Sequence, residues 1–145
     1  MYKGHQFLLR PLLMVLISAM TISALPPKIT KVQRVALRKG QSDTVLEGRL
    51  KPNTRHLYKI RGNAGQKLSV RLEAADGDVV LWVQSTRPVP GNDSFILPGI
   101  TKEGVTEWSG ELPSSQDYEI YISNPRISDH PVTRVLPYTL RLTFK

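Results

Sequence analysis

Short runs in which buried-type and polar residues alternate constrain this chain more than any other feature. Between Trp108 and Ser123, apolar or small residues recur at every second position on both sides of a Ser-Ser-Gln-Asp turn. Period-two alternation is typical of β-strands with one buried face. Pro113 ends the first run because proline has no N–H to donate. The sequence therefore predicts two strands joined as a hairpin at the centre of a β-sandwich.

The same stretch holds two aromatic residues expected in the core. Trp108 and Tyr118 each occupy a position on the apolar face of a predicted strand. Aromatic residues at such positions are usually buried. A tyrosine that enters a strand after a tight loop can also bond its hydroxyl to nearby backbone, as in Greek-key sandwiches. The sequence leaves open whether Tyr118 is a core aromatic only or also makes this bond.

Similar alternation elsewhere predicts an all-β, antiparallel β-sandwich of the jelly-roll or Greek-key type, with eight or nine short strands after an N-terminal signal helix. The Asp76-Gly77 pair between two runs indicates a hairpin turn. Turn signals at this spacing are typical of a sandwich or jelly roll. The predicted strands are 32–38, 44–50, 56–62, 67–74, 79–85, 108–112, 118–123 and 138–144, with 95–97 as a candidate ninth.

The first 24 residues have the layout of a secretory signal. Lys3 and Arg10 supply positive charge, 11–22 is apolar, and Ser23-Ala24 offers small residues for cleavage. The apolar run is short for a bilayer span, and an uncleaved anchor is the alternative. We expect a signal peptide over 1–24, a flexible leader over 25–31 and one β-sandwich domain over 32–145. The protein is then periplasmic or secreted, with no stable membrane span after cleavage.

The charge balance predicts an acidic partner. Twenty basic residues against 12 acidic ones give a net charge of +8, which favours association with negative surfaces. A protein with an acidic cleft and an anionic envelope glycan both fit. Nucleic acid does not, because no strand pair interleaves the basic residues with aromatic ones. The basic residues are scattered, and a solvated sheet face is the simpler interpretation.

Catalytic and metal-binding patterns are weak. His56 and His130, the histidines beyond the signal, have no ligand set spaced for zinc, and no cysteine is present. No Gly-x-Ser-x-Gly nucleophile elbow occurs either. We therefore expect a non-enzymatic protein with no cofactor. Asp76 and Asp78, with Glu73, can offer oxygens to calcium, but turn formation is the simpler explanation of these residues, so calcium is left open.

The segment before the last strand is the best candidate for binding. It holds four candidate partner-binding residues, and two prolines reduce the entropy that it loses on docking. Arg126 can bond a carboxylate through two parallel hydrogen bonds. His130 adds a donor whose charge depends on pH. The alternative is an ordinary strand connection with exposed charge. The candidates are Asn124, Arg126, His130 and Arg134.

Several short motifs stand in order along the chain: Arg38-Lys39-Gly40, Gly48, Tyr58, Ala64-Gly65-Gln66-Lys67-Leu68-Ser69-Val70, Trp108-Ser109-Gly110, Leu112-Pro113, Tyr118-Glu119-Ile120 and Tyr138-Thr139-Leu140. In this order they resemble the periplasmic inhibitors of g-type lysozyme. That family is similar to the bacterial pre-peptidase C-terminal type of β-sandwich domain. The resemblance covers most of the chain after residue 34 and implies the sandwich fold.

The resemblance also implies a mechanism. In that family, a loop before the last strand carries two arginines four residues apart, near a tyrosine from an early strand, and these residues dock into the lysozyme cleft. Here Arg126 matches the first arginine, the second position falls at His130, and the tyrosine position falls near Leu46. The resemblance thus implies an inhibitor whose Arg126, helped by His130, occupies the cleft. An envelope or carbohydrate-binding module of the pre-peptidase type is the alternative.

Overall fold

The computed structural model describes residues 26–74, 79–89, 91, 107–124 and 134–145. Within these ranges the chain forms eight β-strands and no helix, so the predicted all-β class is confirmed. The strands are β1 (Lys28–Val35), β2 (Asp43–Leu50), β3 (Thr54–Gly62), β4 (Lys67–Ala74), β5 (Val80–Ser85), β6 (Glu107–Glu111), β7 (Gln116–Asn124) and β8 (Leu136–Phe144). The predicted signal helix lies outside the described residues. Among those described, no helix has the length and hydropathy needed to cross a bilayer.

The strands form two four-stranded sheets that face each other. Sheet A has the order β1-β3-β7-β5, and sheet B has the order β2-β8-β4-β6. Buried side chains from both sheets make one continuous core. This arrangement confirms the predicted β-sandwich with a single interior.

Period-two alternation explains why the strands bury the faces they do. In β4, Leu68, Val70 and Leu72 are buried and point to the interior, while the residues between them are more exposed. Leu140 and Leu142 of β8 are fully buried beside them. Each fully buried leucine contributes about 2 kcal/mol from apolar area alone. The sandwich therefore depends on the alternation that the sequence displays.

The predicted hairpin at 108–123 is wrong. β6 pairs with β4 at the edge of sheet B, whereas β7 lies between β3 and β5 in sheet A. After β6, the N–H of Leu112 donates to the carbonyl of Gln66, and the chain then passes to the other sheet. Alternation fixes which side chains face the interior, but two strands can share an interior from opposite sheets. The pattern therefore could not distinguish a hairpin, whose two strands pair in one sheet, from an arch, whose two strands lie in opposite sheets.

Tyr118 secures this arch. Its hydroxyl donates to the carbonyl of Ser114 at 2.6 Å, and the N–H of Ser114 donates back at 3.3 Å. The ring is fully buried, as is most of Trp108 across the interior. Tyr118 is thus both a core aromatic and a tyrosine bonded to nearby backbone, the two interpretations that the sequence left open.

The first strand differs from its prediction in extent and direction. β1 begins at Lys28, inside the predicted leader, and ends at Val35 rather than at residue 38. It pairs in parallel with β3, so the sheets are not wholly antiparallel. β2 lies in the other sheet, between β1 and β3 in the chain. β3 therefore enters sheet A in the same direction as β1. Backbone pairing at a sheet edge needs few apolar side chains, which is why alternation missed the polar start.

The Asp76-Gly77 hairpin is also wrong. The strands on either side of it, β4 and β5, belong to different sheets. The turn residues themselves, and the candidate strand at 95–97, lie outside the described residues. The other predicted strands match to within two residues at each end. Turn composition indicates a change of direction but does not say to which sheet the chain returns.

Candidate functional site

The segment predicted to dock begins and ends at one end of the sandwich. β7 ends at Asn124, which pairs with Thr54, and β8 begins at Leu136, which pairs with Leu50. The turn at 51–53 connects Leu50 to Thr54, and the Thr54 hydroxyl donates to the carbonyl of Lys51 at 2.8 Å. Both attachment points of the segment therefore flank this turn. We call this end of the molecule the loop end.

Two of the four predicted binding residues lie outside the described residues. These are Arg126 and His130, and their placement side by side stays a prediction. Asn124 is the last residue of β7, and Arg134 is exposed two residues before β8. The structure thus brings these two to the loop end. Leu46, the position implied for a tyrosine, is partly buried and packs against the core.

A buried hydrogen-bonded network lies near the loop end and joins the two sheets. Tyr138 of β8 bonds through its hydroxyl to Nδ1 of His56 and to the hydroxyl of Tyr58, both at 2.6 Å. Nζ of Lys31 on β1 donates to the Tyr58 hydroxyl at 3.2 Å. We call Lys31, Tyr58, Tyr138 and His56 the cross-sheet network. It fixes β3 against β8 close to the points where the candidate segment is attached.

The network has a preferred direction. An ammonium can only donate, so Lys31 donates to Tyr58. If Tyr58 then donates to Tyr138, and Tyr138 donates to Nδ1 of His56, every hydroxyl proton has an acceptor. This order requires a neutral His56. Burial, and secondly the charge of Lys31, lower the pKa of His56 and so favour that form.

Gly48 makes room for the network. It pairs with Tyr138 across the β2–β8 ladder, and a Cβ at this position would overlap the tyrosine ring. The ring passes across the face of Gly48 to reach β3. Burial, and secondly the bond with Tyr58, raise the pKa of Tyr138 well above its ordinary value.

The outer face of sheet A carries a second ordered group, near the loop end. The rings of Trp82 and Tyr121 are stacked with centroids 4.9 Å apart, at 10° between their planes. The guanidinium carbon of Arg55 lies 4.5 Å from the Trp82 centroid and 5.4 Å from that of Tyr121. Both distances fall in the range of cation–π contacts. We call these three residues the ring platform.

Glu119 anchors the platform. It accepts hydrogen bonds from the Tyr121 hydroxyl at 2.7 Å and from Nε2 of Gln84 at 3.0 Å, and it pairs with Nζ of Lys59 at 3.0 Å. Burial raises the pKa of Glu119, but the bonds from Tyr121, Lys59 and Gln84 outweigh it, so the net shift is downward. Burial, and then the bond to Glu119, raise the pKa of Tyr121 to about 12.

A shallow groove of about 650 Å³ crosses the outer face of sheet B. Glu47 and Glu73 lie among its lining residues, and the carboxylate of Glu73 is 3.4 Å from Nε of Arg71. Asp76 and Asp78, the other predicted calcium ligands, lie outside the described residues. Within the described ranges, no group of three or more side chains is arranged to hold a metal ion.

Sequence reasoning missed both the cross-sheet network and the ring platform. Alternation had placed Tyr121 on the face opposite the core, and an aromatic residue there was a usable signal. Arg55 was counted among scattered solvated charges. Nothing in the sequence connected Tyr138 to His56, because 82 positions separate them.

Comparison with known proteins finds similarity in structure but not in sequence. No protein-family model and no curated protein sequence matches this chain. The structure of PliG from Aeromonas hydrophila, a periplasmic inhibitor of g-type lysozyme, is 23% identical with a TM-score of 0.63. The match covers 81% of this chain and 98% of that one.

Two further solved structures carry the same description. One is a mutant of PliG-Ec from Escherichia coli, 23% identical with a TM-score of 0.55, and the other is PliG from Salmonella Typhimurium, 20% identical with a TM-score of 0.58. Each match covers 79% of this chain and 98% of the other. The three matches show that this chain shares the fold of these proteins.

Proposed function

We propose that this protein is an exported, non-enzymatic binding protein of the inhibitor type, with a g-type lysozyme as its partner. The observation that carries the proposal is the likeness to three g-type lysozyme inhibitors over 98% of each of their chains. Those three proteins are described as periplasmic, and we propose the same location here. The net charge of +8 suits a partner with an acidic cleft.

In the proposed mechanism, the segment before β8 enters that cleft and blocks substrate. Arg126 bonds a cleft carboxylate through two parallel hydrogen bonds. His130 and Arg134 add donors on the same side, and Asn124 fixes the start of the segment at the end of β7. A loop held at both ends by a rigid sheet loses less entropy when it binds. The rigidity of the loop end, with its turn and cross-sheet network, supports this mechanism.

The test is an inhibition assay with a g-type lysozyme and peptidoglycan as substrate. We expect inhibition by the purified protein, reduced about tenfold or more in Arg126→Ala, which is the usual effect of removing a charged contact in a desolvated site. Arg38→Ala is the matched control, because Arg38 is exposed between β1 and β2 at the opposite end of the sandwich. It should inhibit like the wild type.

The assay also separates the proposal from the carbohydrate-binding alternative. Absence of inhibition at micromolar protein would refute the inhibitor proposal. Retention of the protein on insoluble peptidoglycan under the same conditions would then favour an envelope-binding module. Equal loss of inhibition in the Arg126 and Arg38 variants would show that net charge, rather than the candidate segment, is responsible.

A further inference from the structure

The side chain of Arg55 takes an unusual course across sheet A. Arg55 lies on β3 and pairs with Ser123 of β7, whereas Trp82 lies on β5, one strand further on. Neighbouring strands are about 4.8 Å apart, so the arginine must cross β7 for its guanidinium to reach Trp82. Ser123, opposite Arg55 on β7, is only 1% exposed although it belongs to the outer face.

Among the described residues, no carboxylate balances the charge of Arg55. Four ion pairs occur among the described residues, and none includes Arg55. Within the described part of the chain, its Nε is buried without a hydrogen-bond partner, and the hydroxyl of Ser123 is in the same condition. Removing a cation from water without an acceptor is costly, and the two ring faces compensate only in part.

Other cations on this face show that the lack of a partner is specific to Arg55. Arg34 bonds both carboxylate oxygens of Asp117, at 3.0 and 3.1 Å, and Arg61 lies 3.8 Å from the same group. Lys59 pairs with Glu119. The face thus provides carboxylates for its other described cations and stacked rings for Arg55. In this arrangement the guanidinium of Arg55 is held in place while N–H donors remain available to a ligand.

The support beneath Arg55 is rigid. Tyr121 and Trp82 stack in register, and Glu119 fixes the Tyr121 hydroxyl at 2.7 Å. A guanidinium held against such rings has lost most of its freedom before a ligand arrives, and it is more weakly hydrated than an ammonium. Ser123, which pairs with Arg55, directly precedes Asn124 at the loop end. The charge therefore sits beside the segment predicted to dock.

We propose that the guanidinium of Arg55, held over the Trp82–Tyr121 ring pair, is a carboxylate-binding site that receives an acidic side chain of the protein partner. This contact is separate from Arg126 and lies on the outer face of sheet A. The planar guanidinium can form two parallel hydrogen bonds to a carboxylate, whereas an ammonium acts only as a point charge. Only the identity of the partner rests on the function proposed above, since the site itself follows from the described residues.

The first test uses acetate as the probe and needs no lysozyme. Trp82 reports on the site because Arg55 lies against its indole, whereas the other tryptophan, Trp108, is buried and 5% exposed. Acetate, added at constant ionic strength against chloride, should produce a saturable change in tryptophan fluorescence. The change should disappear in Arg55→Gln and in Trp82→Phe, and persist in the matched control Arg38→Gln. No change in the wild type, or an equal change in Arg55→Gln, would overturn the site.

The second test uses the partner. Arg55→Gln should weaken binding to a g-type lysozyme about tenfold, and Arg55→Lys should recover only part of that loss because lysine keeps the charge without the fork. Unchanged binding by Arg55→Gln would overturn its role in docking. If the wild type does not bind lysozyme but the acetate response depends on Arg55, the carboxylate site stands and the lysozyme assignment fails.

Discussion

Two buried tyrosines hold the sandwich together in different ways. Tyr118 bonds the backbone of Ser114, four residues earlier, and closes the arch between β6 and β7. Tyr138 bonds His56 and Tyr58, which are 82 and 80 positions away, and joins β8 to β3 across the interior. The arch is a local structure, whereas the cross-sheet network forms only after both sheets have assembled.

The difference shows how the interior can be polar on one side and remain ordered. In β4 the buried side chains are Leu68, Val70 and Leu72, which need only space. In the cross-sheet network the buried groups are hydroxyls and an imidazole, which need partners in fixed positions. Each polar member has a partner, so an alteration to the network should cost more than the same alteration to the arch.

The largest effect is expected from Gly48→Ala. The added Cβ would overlap the ring of Tyr138, so the ring must move and both of its hydrogen bonds are lost. We expect unfolding free energy to fall by about 3 kcal/mol or more, as for overpacking combined with unpaired polar groups. Denaturant unfolding measures it directly.

Two comparisons show whether the overlap is the cause. Gly40→Ala is the control, because Gly40 has a positive φ of 81° but nothing within 4 Å of an added Cβ; its cost should be about 1 kcal/mol of backbone strain. In a Tyr138→Ala background, Gly48→Ala should add little, since the ring is gone. A cost that persists in that background would contradict the explanation.

The second effect is that of Tyr138→Phe. Deleting one oxygen leaves the Tyr58 hydroxyl without its acceptor and Nδ1 of His56 without its donor, both in the interior. Thermal and denaturant unfolding should show a loss of about 2 kcal/mol. The further loss that Tyr138→Phe causes should be smaller in a Tyr58→Phe background, because no Tyr58 hydroxyl is then left without its acceptor. A larger loss in the double variant, equal to the sum of the single ones, would show that the hydroxyls act independently.

These two tyrosines also show how much the sequence can predict. Alternation correctly identified the buried faces, and β4 was predicted to the residue. Tyr118 follows a tight polar turn, so its backbone bond was a local possibility. The Tyr138 network depends on which strands face each other, and alternation does not carry that information. For the same reason, the sequence misplaced β6 relative to β7. It placed Tyr121 on the outer face but could not place Trp82 and Arg55 beside it, because they lie on two other strands.

Tyr118→Phe makes the same one-atom deletion in the arch and should cost less, about 1 kcal/mol. Only the backbone of Ser114 loses a partner, and that residue is partly exposed, so water can replace the hydroxyl. Both variants should be measured under identical conditions. The difference between their losses of unfolding free energy then tests whether the cross-sheet network is more constrained than the arch. An equal or greater loss for Tyr118→Phe would mean that the arch, and not the cross-sheet network, is the more constrained region.

The smallest effect is expected from pH, and between pH 7 and pH 5 we assign it to His56. Its pKa in the folded protein lies below its ordinary value of 6.5, first because it is buried and then because Lys31 is near. The folded state therefore binds fewer protons than the unfolded state, so stability is complete above pH 6.5 and falls as the pH decreases towards the folded pKa. Lys31, Tyr58 and Tyr138 are the titratable groups of the network that contains it.

Replacement by asparagine separates this contribution from all others. In His56→Asn, the amide oxygen can accept from Tyr138 where Nδ1 did, but the side chain no longer titrates. The decrease in unfolding free energy between pH 7 and pH 5 should be smaller than in the wild type. His130→Asn, the same change at the other histidine beyond the predicted signal, should keep the wild-type slope. If His56→Asn keeps that slope and His130→Asn loses it, the acid sensitivity belongs to the candidate binding segment, and a neutral imidazole is not what holds the two sheets together.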